Sequence, residues 1–298
     1  MTDDRKTQLD GLAVALLVLC CALWGVNQMA TKVALAEIPP LMQAAARSAG
    51  AALLLALWSR WRGIPLWRSD GTARAGWLAG LLFAVEFGCI FVGLQYTTAS
   101  RMAVFIYLSP FVVALGMPFI SRSERLRPLQ MLGLVAAFSG VVWAFFEGFS
   151  RPAAGPLQWL GDALGIVGAL LWGMTTLVLR GSRLATAAPE KTLLWQLGVS
   201  GLALALGSVA AGETLAAVPT AASLWPLAFQ TVVVTFASYL VWFWLLRHYP
   251  STRVASFTLL TPIFGLLAGV LLLGDPVTAR LLLALVAVVA GIALVNRT

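Results

Sequence analysis

Charge is scarce in this chain. Only 11% of its 298 residues are Asp, Glu, Lys or Arg, while 60% are hydrophobic and the mean hydropathy is +0.89. A water-soluble domain of this length carries far more charge, so most of the chain belongs in lipid. Histidine is scarcer still. His248 is the only one, it falls in a predicted loop, and no HExxH motif is present. Intramembrane Ser–His catalysis would lack its base, and a zinc protease its ligands. A Walker A lysine is also missing, which excludes an ATP-driven pump within this chain. The three cysteines, Cys20, Cys21 and Cys89, lie in hydrophobic stretches and read as free thiols packed like small apolar residues, without disulfide or metal role. No enzyme activity and no cofactor are expected.

Long hydrophobic runs are what the sequence has. Ten of them, near 11–36, 40–59, 74–95, 98–120, 128–147, 158–179, 192–212, 224–246, 252–273 and 278–296, are each of bilayer-spanning length. Short Pro- or Gly-marked connections leave no room for a separate soluble domain. The N-terminus reads as no signal peptide: TDDRK runs into a span too long for a signal core, with no small-residue cleavage site.

The net charge of +8 is a topology signal and gives no reason to expect nucleic acid. Arg5, Lys6, Arg60, Arg62, Arg68, Arg74, Arg122, Arg125, Arg127, Arg180, Arg183, Lys191, Arg247, Arg253 and Arg297 fall on one side of the predicted spans. The other side receives only Lys32, Arg101, Arg151 and Arg280, and Arg47 lies inside a span. The positive-inside rule then places both termini in the cytoplasm.

The chain is written twice. Arg101 to Pro110 reads RMAVFIYLSP and Arg253 to Pro262 reads RVASFTLLTP, with five of ten positions identical and Ser109 answered by Thr261. LWG at Leu23 to Gly25 recurs at Leu171 to Gly173, and Glu124 precedes Gly140 by the same spacing as Asp275 precedes Gly291. Five spans per half is an odd number, so the second half must enter the membrane from the opposite side. The expectation is an all-α integral membrane protein of ten helices in two inverted five-helix repeats, 1–150 and 151–298, the arrangement of many secondary transporters.

LWGVN (Leu23–Asn27), Arg47 in the second span, YTTASRMAVFIYLSPF (Tyr96–Phe111), SERL (Ser123–Leu126) and their second-half counterparts together resemble the ten-span, EamA-type exporters of the drug/metabolite transporter superfamily. Within that group the chain looks most like the YddG-type aromatic amino-acid and paraquat exporters. The resemblance covers essentially the whole chain. It implies an inner-membrane exporter of small amino acids or related metabolites, with a central cavity lined by helices 1, 3, 4, 6, 8 and 9. Export or facilitation of another class (threonine or homoserine, a purine-like compound, a cationic drug) and a channel stay open. So do the oligomeric state, for which a monomer is compatible, and the coupling ion.

Candidate cavity residues follow from polarity in lipid, where a polar stripe must face protein or water. Helix 1 carries Trp24, Asn27, Gln28 and Thr31 on one face. Helix 6 answers with Trp172, Thr175 and Thr176, and helix 8 carries Thr231, Thr235, Ser238 and Trp242 with Tyr239 alongside. The alternative for the Thr and Ser residues is helix gluing or bonding to their own backbone. Pro110 and Pro262 sit within helices 4 and 9 and free carbonyls near Ile106 and Thr258, a candidate hinge pair. Arg47 and Glu86 are the deepest ionisable residues, at similar depth, so mutual pairing or a water-filled cavity is expected. Either they form a structural pair, or Arg47 meets a substrate carboxylate and Glu86 an ammonium or a coupling proton. The resemblance offers an arginine in the second span but no motif match for Glu86. Glu147 and Asp162 lie near predicted helix ends and read as facing water. The Trp residues that share faces with polar groups suit an aromatic or amphipathic solute, whereas a phosphate would need converging Arg or Lys.

Overall fold

A computed structural model of the protein describes residues 9–66, 70–120, 128–150, 152–249, 254 and 257–295. Arg5, Lys6, Arg68, Arg122, Arg125, Arg127, Arg151, Arg253, Arg297, Glu124 and the side chain of Arg247 lie outside the described residues. Among the described residues only helices and turns occur. They are α1 (Gly11–Ala34), α2 (Pro40–Trp61), α3 (Ala73–Tyr96), α4 (Ala99–Ile120), α5 (Pro128–Ser150), α6 (Gln158–Arg180), α7 (Pro189–Ala210), α8 (Ala221–Leu245), α9 (Leu260–Leu273) and α10 (Ala279–Val295).

The first eight are long and apolar enough to cross a membrane; α9 and α10 are apolar but shorter. The 14 residues of α9 reach about 21 Å at 1.5 Å per residue, less than the roughly 30 Å of a hydrocarbon core. Ten expected spans are thus matched by eight helices of spanning length and two shorter ones. Large apolar side chains such as Leu53, Leu57, Phe146, Leu206, Leu271 and Val286 are exposed on the outside of the bundle. Helices apolar on outer and inner faces alike belong in lipid.

Local chemistry sets the helix ends. Asp10 caps α1, its Oδ1 accepting from Ala13 N at 2.9 Å. Pro40 and Pro189 open α2 and α7 at the first turn, where proline costs no hydrogen bond. The same two helices close alike. Gly63 (φ 68°) and Gly212 (φ 67°) take the left-handed conformation, and Ile64 N and Glu213 N reach back to Ser59 O and Ser208 O at 2.8 and 3.0 Å. Both are Schellman caps, which glycine makes without strain.

The packing pairs repeat the internal echo. Helix α1 packs on α9 and α6 on α4; α3 packs on α6 and α7, while α8 packs on α1 and α2. Helices α2 and α7, α4 and α9, and α5 and α10 pair with each other. Advancing every helix by five, and wrapping round after α10, maps this pattern onto itself. The glycines of the two LWG sites mark equivalent crossings: a Cβ on Gly25 would lie 2.6 Å from Phe264 Cβ, and one on Gly173 2.5 Å from Val112 Cβ. Three GxxxG stretches, Gly76–Gly80, Gly161–Gly165 and Gly265–Gly269, also serve packing within the chain, with Gly76 and Gly80 against Trp195 and Val199, Gly161 against Gly93 and Thr97, and Gly265 against Ala103.

The proline helices are locally broken where the freed carbonyls were expected. In α4 a 3₁₀ turn spans Ile106–Leu108 just before Pro110, and a matching turn, Phe257–Leu259, precedes α9 and Pro262. A further irregularity has no precursor in the sequence: Phe229–Ser238 within α8 is π-helix.

Candidate functional site

Four helices bring buried polar groups together. From α1 come Asn27, Gln28 and Thr31, and from α2 come Gln43 and Arg47, one turn apart on one face. Helix α3 supplies Glu86, and α8 supplies Gln230, Thr235 and Ser238. All are buried, Arg47 to 1% and Glu86 to 2% exposure. The strand of contacts can be followed from helix to helix. Gln43 Nε2 donates to Thr31 O at 3.3 Å. Thr31 Oγ1 lies 2.8 Å from Asn27 O and 3.1 Å from Gln230 Oε1. One hydroxyl hydrogen serves one of these acceptors at a time. On the far side, Trp24 Nε1 donates to Ser238 Oγ at 2.8 Å, and its ring meets Trp242 and Tyr239 edge-on at 5.1 and 6.2 Å. Tyr239 in turn lies close enough to Arg47 and Glu86 to feel both charges.

Of the two alternatives for Arg47 and Glu86, mutual pairing is not what the structure shows: no nitrogen–oxygen contact within 4.0 Å joins them among the described residues. The guanidinium instead lies over the ring of Phe87, with Cζ 3.8 Å from the ring centre, and faces Phe91 at 5.2 Å. A planar cation stacks on an aromatic face in this way at the expense of a carboxylate fork. Arg47 Nε and Nη2, Glu86 Oε2, Asn27 Oδ1, Gln28 Oε1 and Gln43 Oε1 are buried without hydrogen-bond partners. Buried polar groups are nearly always satisfied, so a cluster of exceptions marks a place built for something else. The set offers guanidinium donors on Arg47 and acceptor oxygens on Glu86, Asn27, Gln28 and Gln43, with Gln230 Nε2 a further unpartnered donor.

The remaining expected cavity residues divide. Trp172 is partly buried and its ring meets Tyr107 edge-on at 5.7 Å. Thr175 and Thr176 bond back to Leu171 O and Trp172 O, at 2.9 and 3.0 Å, and Thr231 to Leu227 O at 2.8 Å. These hydroxyls serve their own helix backbone. Ser238 does so too, donating to Val234 O at 2.5 Å while accepting from Trp24. Thr258 is partly buried within the second 3₁₀ turn. The stripe read on helix 8 at ordinary helical spacing needs correction. The π segment shifts the register, so that Gln230 and Thr235, five apart, are fully buried while Thr231 turns toward Gly50 of α2. Such π segments recur at functional sites.

Gln43, Gln230 and Tyr107 were not among the expected site residues. Their signal was available: two amides in apolar spans, and one of only four tyrosines. Gln43 sits near a helix start and Gln230 beside a threonine that fitted the usual period better.

A second correction concerns Glu147 and Asp162, read as facing water. Asp162 is 0% exposed and Glu147 5%, and both surround Arg101. The Arg101 side chain reaches Asp162 through Nε (3.1 Å) and Nη2 (2.6 Å), Glu147 through Nη1 (3.2 Å), and Ala144 O through Nη2 (2.5 Å). Thr97 Oγ1 adds a bond to Asp162 at 2.5 Å, Thr278 Oγ1 one to Glu147 at 2.7 Å, and Lys32 Nζ donates to Thr97 O. The acids lie near helix ends, as expected, but those ends converge on a cation. At the opposite end of the bundle, Lys191 Nζ pairs with Asp70 Oδ2 at 2.8 Å beside a concavity of about 370 Å³ lined by Asp70, Thr72, Arg183, Thr186 and Ala187. That concavity is separate from the four-helix cluster.

Comparison with known proteins gives this arrangement its context. Residues 11–146 and 159–297 both match the model of the EamA-like transporter family. The chain is 29% identical over 291 residues to the uncharacterized transporter YvbV of Bacillus subtilis, covering 94% of this chain and 90% of the relative. It is 28% identical to a protein of Salmonella typhimurium named "Probable amino-acid metabolite efflux pump" and 26% identical to the Escherichia coli protein of the same name. Each alignment covers 95% of this chain and 93% of the relative. A solved crystal structure shares the fold with a TM-score of 0.67 at 17% identity, over 96% of both chains. With both halves matched, nearly end to end, this multi-pass membrane chain belongs to the EamA-like transporter family.

Proposed function

We propose that the chain is an inner-membrane secondary transporter that exports amino acids, aromatic ones favoured, and related small metabolites by alternating access. The observation that carries this reading is the set of unpartnered polar atoms on Asn27, Gln28, Arg47 and Glu86, buried between α1, α2 and α3 and bordered by α8 of the other half. Deeply buried ionisable groups in a membrane bundle are costly and mark substrate or ion paths. The aromatic walls at Trp24, Trp172, Tyr239 and Trp242 favour an aromatic solute. Two relatives named as amino-acid metabolite efflux pumps support the substrate class.

In this reading ten helices cross the membrane in two inverted repeats, 1–150 and 151–298, with both termini cytoplasmic. The packing pattern that returns after advancing five helices, and the paired Schellman caps, support it. Exchange of conformation between the halves opens the site to either side in turn. Pro110 and Pro262, each beside a 3₁₀ turn, serve as the hinge pair. Pro110→Ala and Pro262→Ala would each slow turnover while substrate affinity stays unchanged; unaltered turnover in both removes the hinge.

The test is counterflow of labelled phenylalanine in proteoliposomes, competed with tryptophan, threonine, paraquat and a nucleoside. Saturable exchange competed by aromatic amino acids is the expected result. A folded protein that exchanges no phenylalanine would sink the aromatic amino-acid assignment.

A further inference from the structure

Glu86 lies near the middle of α3, and its Oε2 has no donor. An ionised carboxylate cannot stay in that condition: in a water-poor interior it takes a proton or a cationic partner. The nearest fixed cation, Arg47, is committed to the face of Phe87 and keeps Nε and Nη2 unpartnered. The two charges therefore interact without closing a bond on each other. The groups acting on Glu86 are Arg47 from α2, Tyr239 from α8 and Cys89 on α3 itself. Helix α6 approaches through Gly168, where an added Cβ would lie 3.7 Å from Glu86 O. No lysine or second acid competes for the position among these.

We propose that Arg47 and Glu86 form a two-pole site for an α-amino-acid zwitterion, at which the ligand's ammonium and a proton compete for the same Glu86 oxygen. This deepens, and rests on, the transport reading above. The ligand carboxylate takes the two free guanidinium donors, a charge-assisted pairing. Its ammonium takes Glu86 Oε2, with the unpartnered amide oxygens of Gln28 and Asn27 as further acceptors on the bordering helix. Binding releases the Glu86 proton to solution, and ligand departure returns one. No bond other than O–H changes. Over a full cycle one proton enters for each zwitterion that leaves, so the exchange carries one net positive charge inward.

The test uses the full-length protein in detergent, with tryptophan fluorescence as the binding signal and a pH indicator in weakly buffered solution as the proton count. The probes are L-phenylalanine, phenethylamine, which keeps only the ammonium, and 3-phenylpropionate, which keeps only the carboxylate. Phenylalanine is expected to bind at least about tenfold more tightly than either half-ligand, with affinity rising about tenfold per pH unit while Glu86 is protonated. Proton release should accompany binding. Glu86→Gln, nearly isosteric, should abolish both the release and the pH dependence while leaving 3-phenylpropionate binding in place. Arg47→Lys should weaken the carboxylate ligands and spare phenethylamine. Half-ligands that equal phenylalanine, pH-independent binding, proton release that survives in Glu86→Gln, or no binding of any probe would each overturn the proposal. Binding that behaves as expected in a protein without counterflow would leave the site standing and overturn the transport reading alone.

Discussion

Arg101 and Asp162 meet as a two-point pair across the junction of α4 and α6, with guanidinium Nε and Nη2 at 3.1 and 2.6 Å from the carboxylate. Both are almost wholly buried, and each comes from a different half of the chain. Breaking a buried pair from one side strands the other charge, at a cost of about 3–5 kcal/mol. Glu147 remains beside Arg101 and softens the loss. Asp162→Asn is therefore expected to destabilise the protein by about 3 kcal/mol, read as a lower unfolding midpoint in detergent. An unchanged midpoint would show that the pair does not hold the two halves together.

The Asp70–Lys191 contact lies at the other end of the bundle and makes a pH-dependent clasp. Hydrogen bonds from Lys191, then from Thr72, hold the Asp70 carboxyl at about 2, below its ordinary 3.8. A depressed acid adds stability that is present in full above its unfolded value and is lost as the pH falls through the folded one. The unfolding midpoint of wild type should thus exceed that of Asp70→Asn by a constant margin above pH 3.8, narrowing toward about 2. Added salt should shrink the margin too, because Asp70 is exposed. A margin that holds steady through acid would show that the clasp adds nothing.

Gly25 stands where α1 and α9 touch. A Cβ there would lie 2.6 Å from both Gly265 N and Phe264 Cβ, so backbone would have to move. Gly25→Ala should cost about 1–3 kcal/mol, the usual range for overpacking. Gly198 in α7 has nothing within 4 Å of its added Cβ. Gly198→Ala should be neutral, or stabilising by up to about 1 kcal/mol through helix propensity. Equal thermal shifts in the two variants would contradict the close α1–α9 crossing.

Asn27 and Gln28 carry unpartnered oxygens beside the proposed site. If those oxygens receive substrate, Asn27→Ala or Gln28→Ala removes one hydrogen bond to a charged group, about 1.5 kcal/mol or roughly tenfold in uptake at low substrate. Folding should survive, because neither unpartnered oxygen helps hold the bundle. Wild-type uptake in both variants would take these amides out of the site.

Much of the candidate site was legible in the chain because lipid is an unforgiving solvent. An amide, an arginine or a glutamate inside an apolar run stands out without any structure, and Asn27, Gln28, Arg47 and Glu86, all buried in the fold, are candidates on that ground. Gln43 obeyed the same rule but sat near a helix start, where a polar residue has an ordinary explanation. The π segment hid Gln230, since a stripe drawn at 3.6 residues per turn passes through Thr231 instead.

Hydropathy, charge position and the doubled motif are properties of the one-dimensional chain, and they determined the membrane class, the helical content and the two-part organisation. Rotation of each helix about its own axis is not such a property. It depends on where small residues let two helices approach, as at Gly25 against Phe264. Tertiary packing alone therefore decided that Arg47 stacks on Phe87 and leaves Glu86 unpaired. It also decided that Arg101 gathers Glu147 and Asp162 away from water, because the ends of α4, α5 and α6 converge there and place its guanidinium between the two acids.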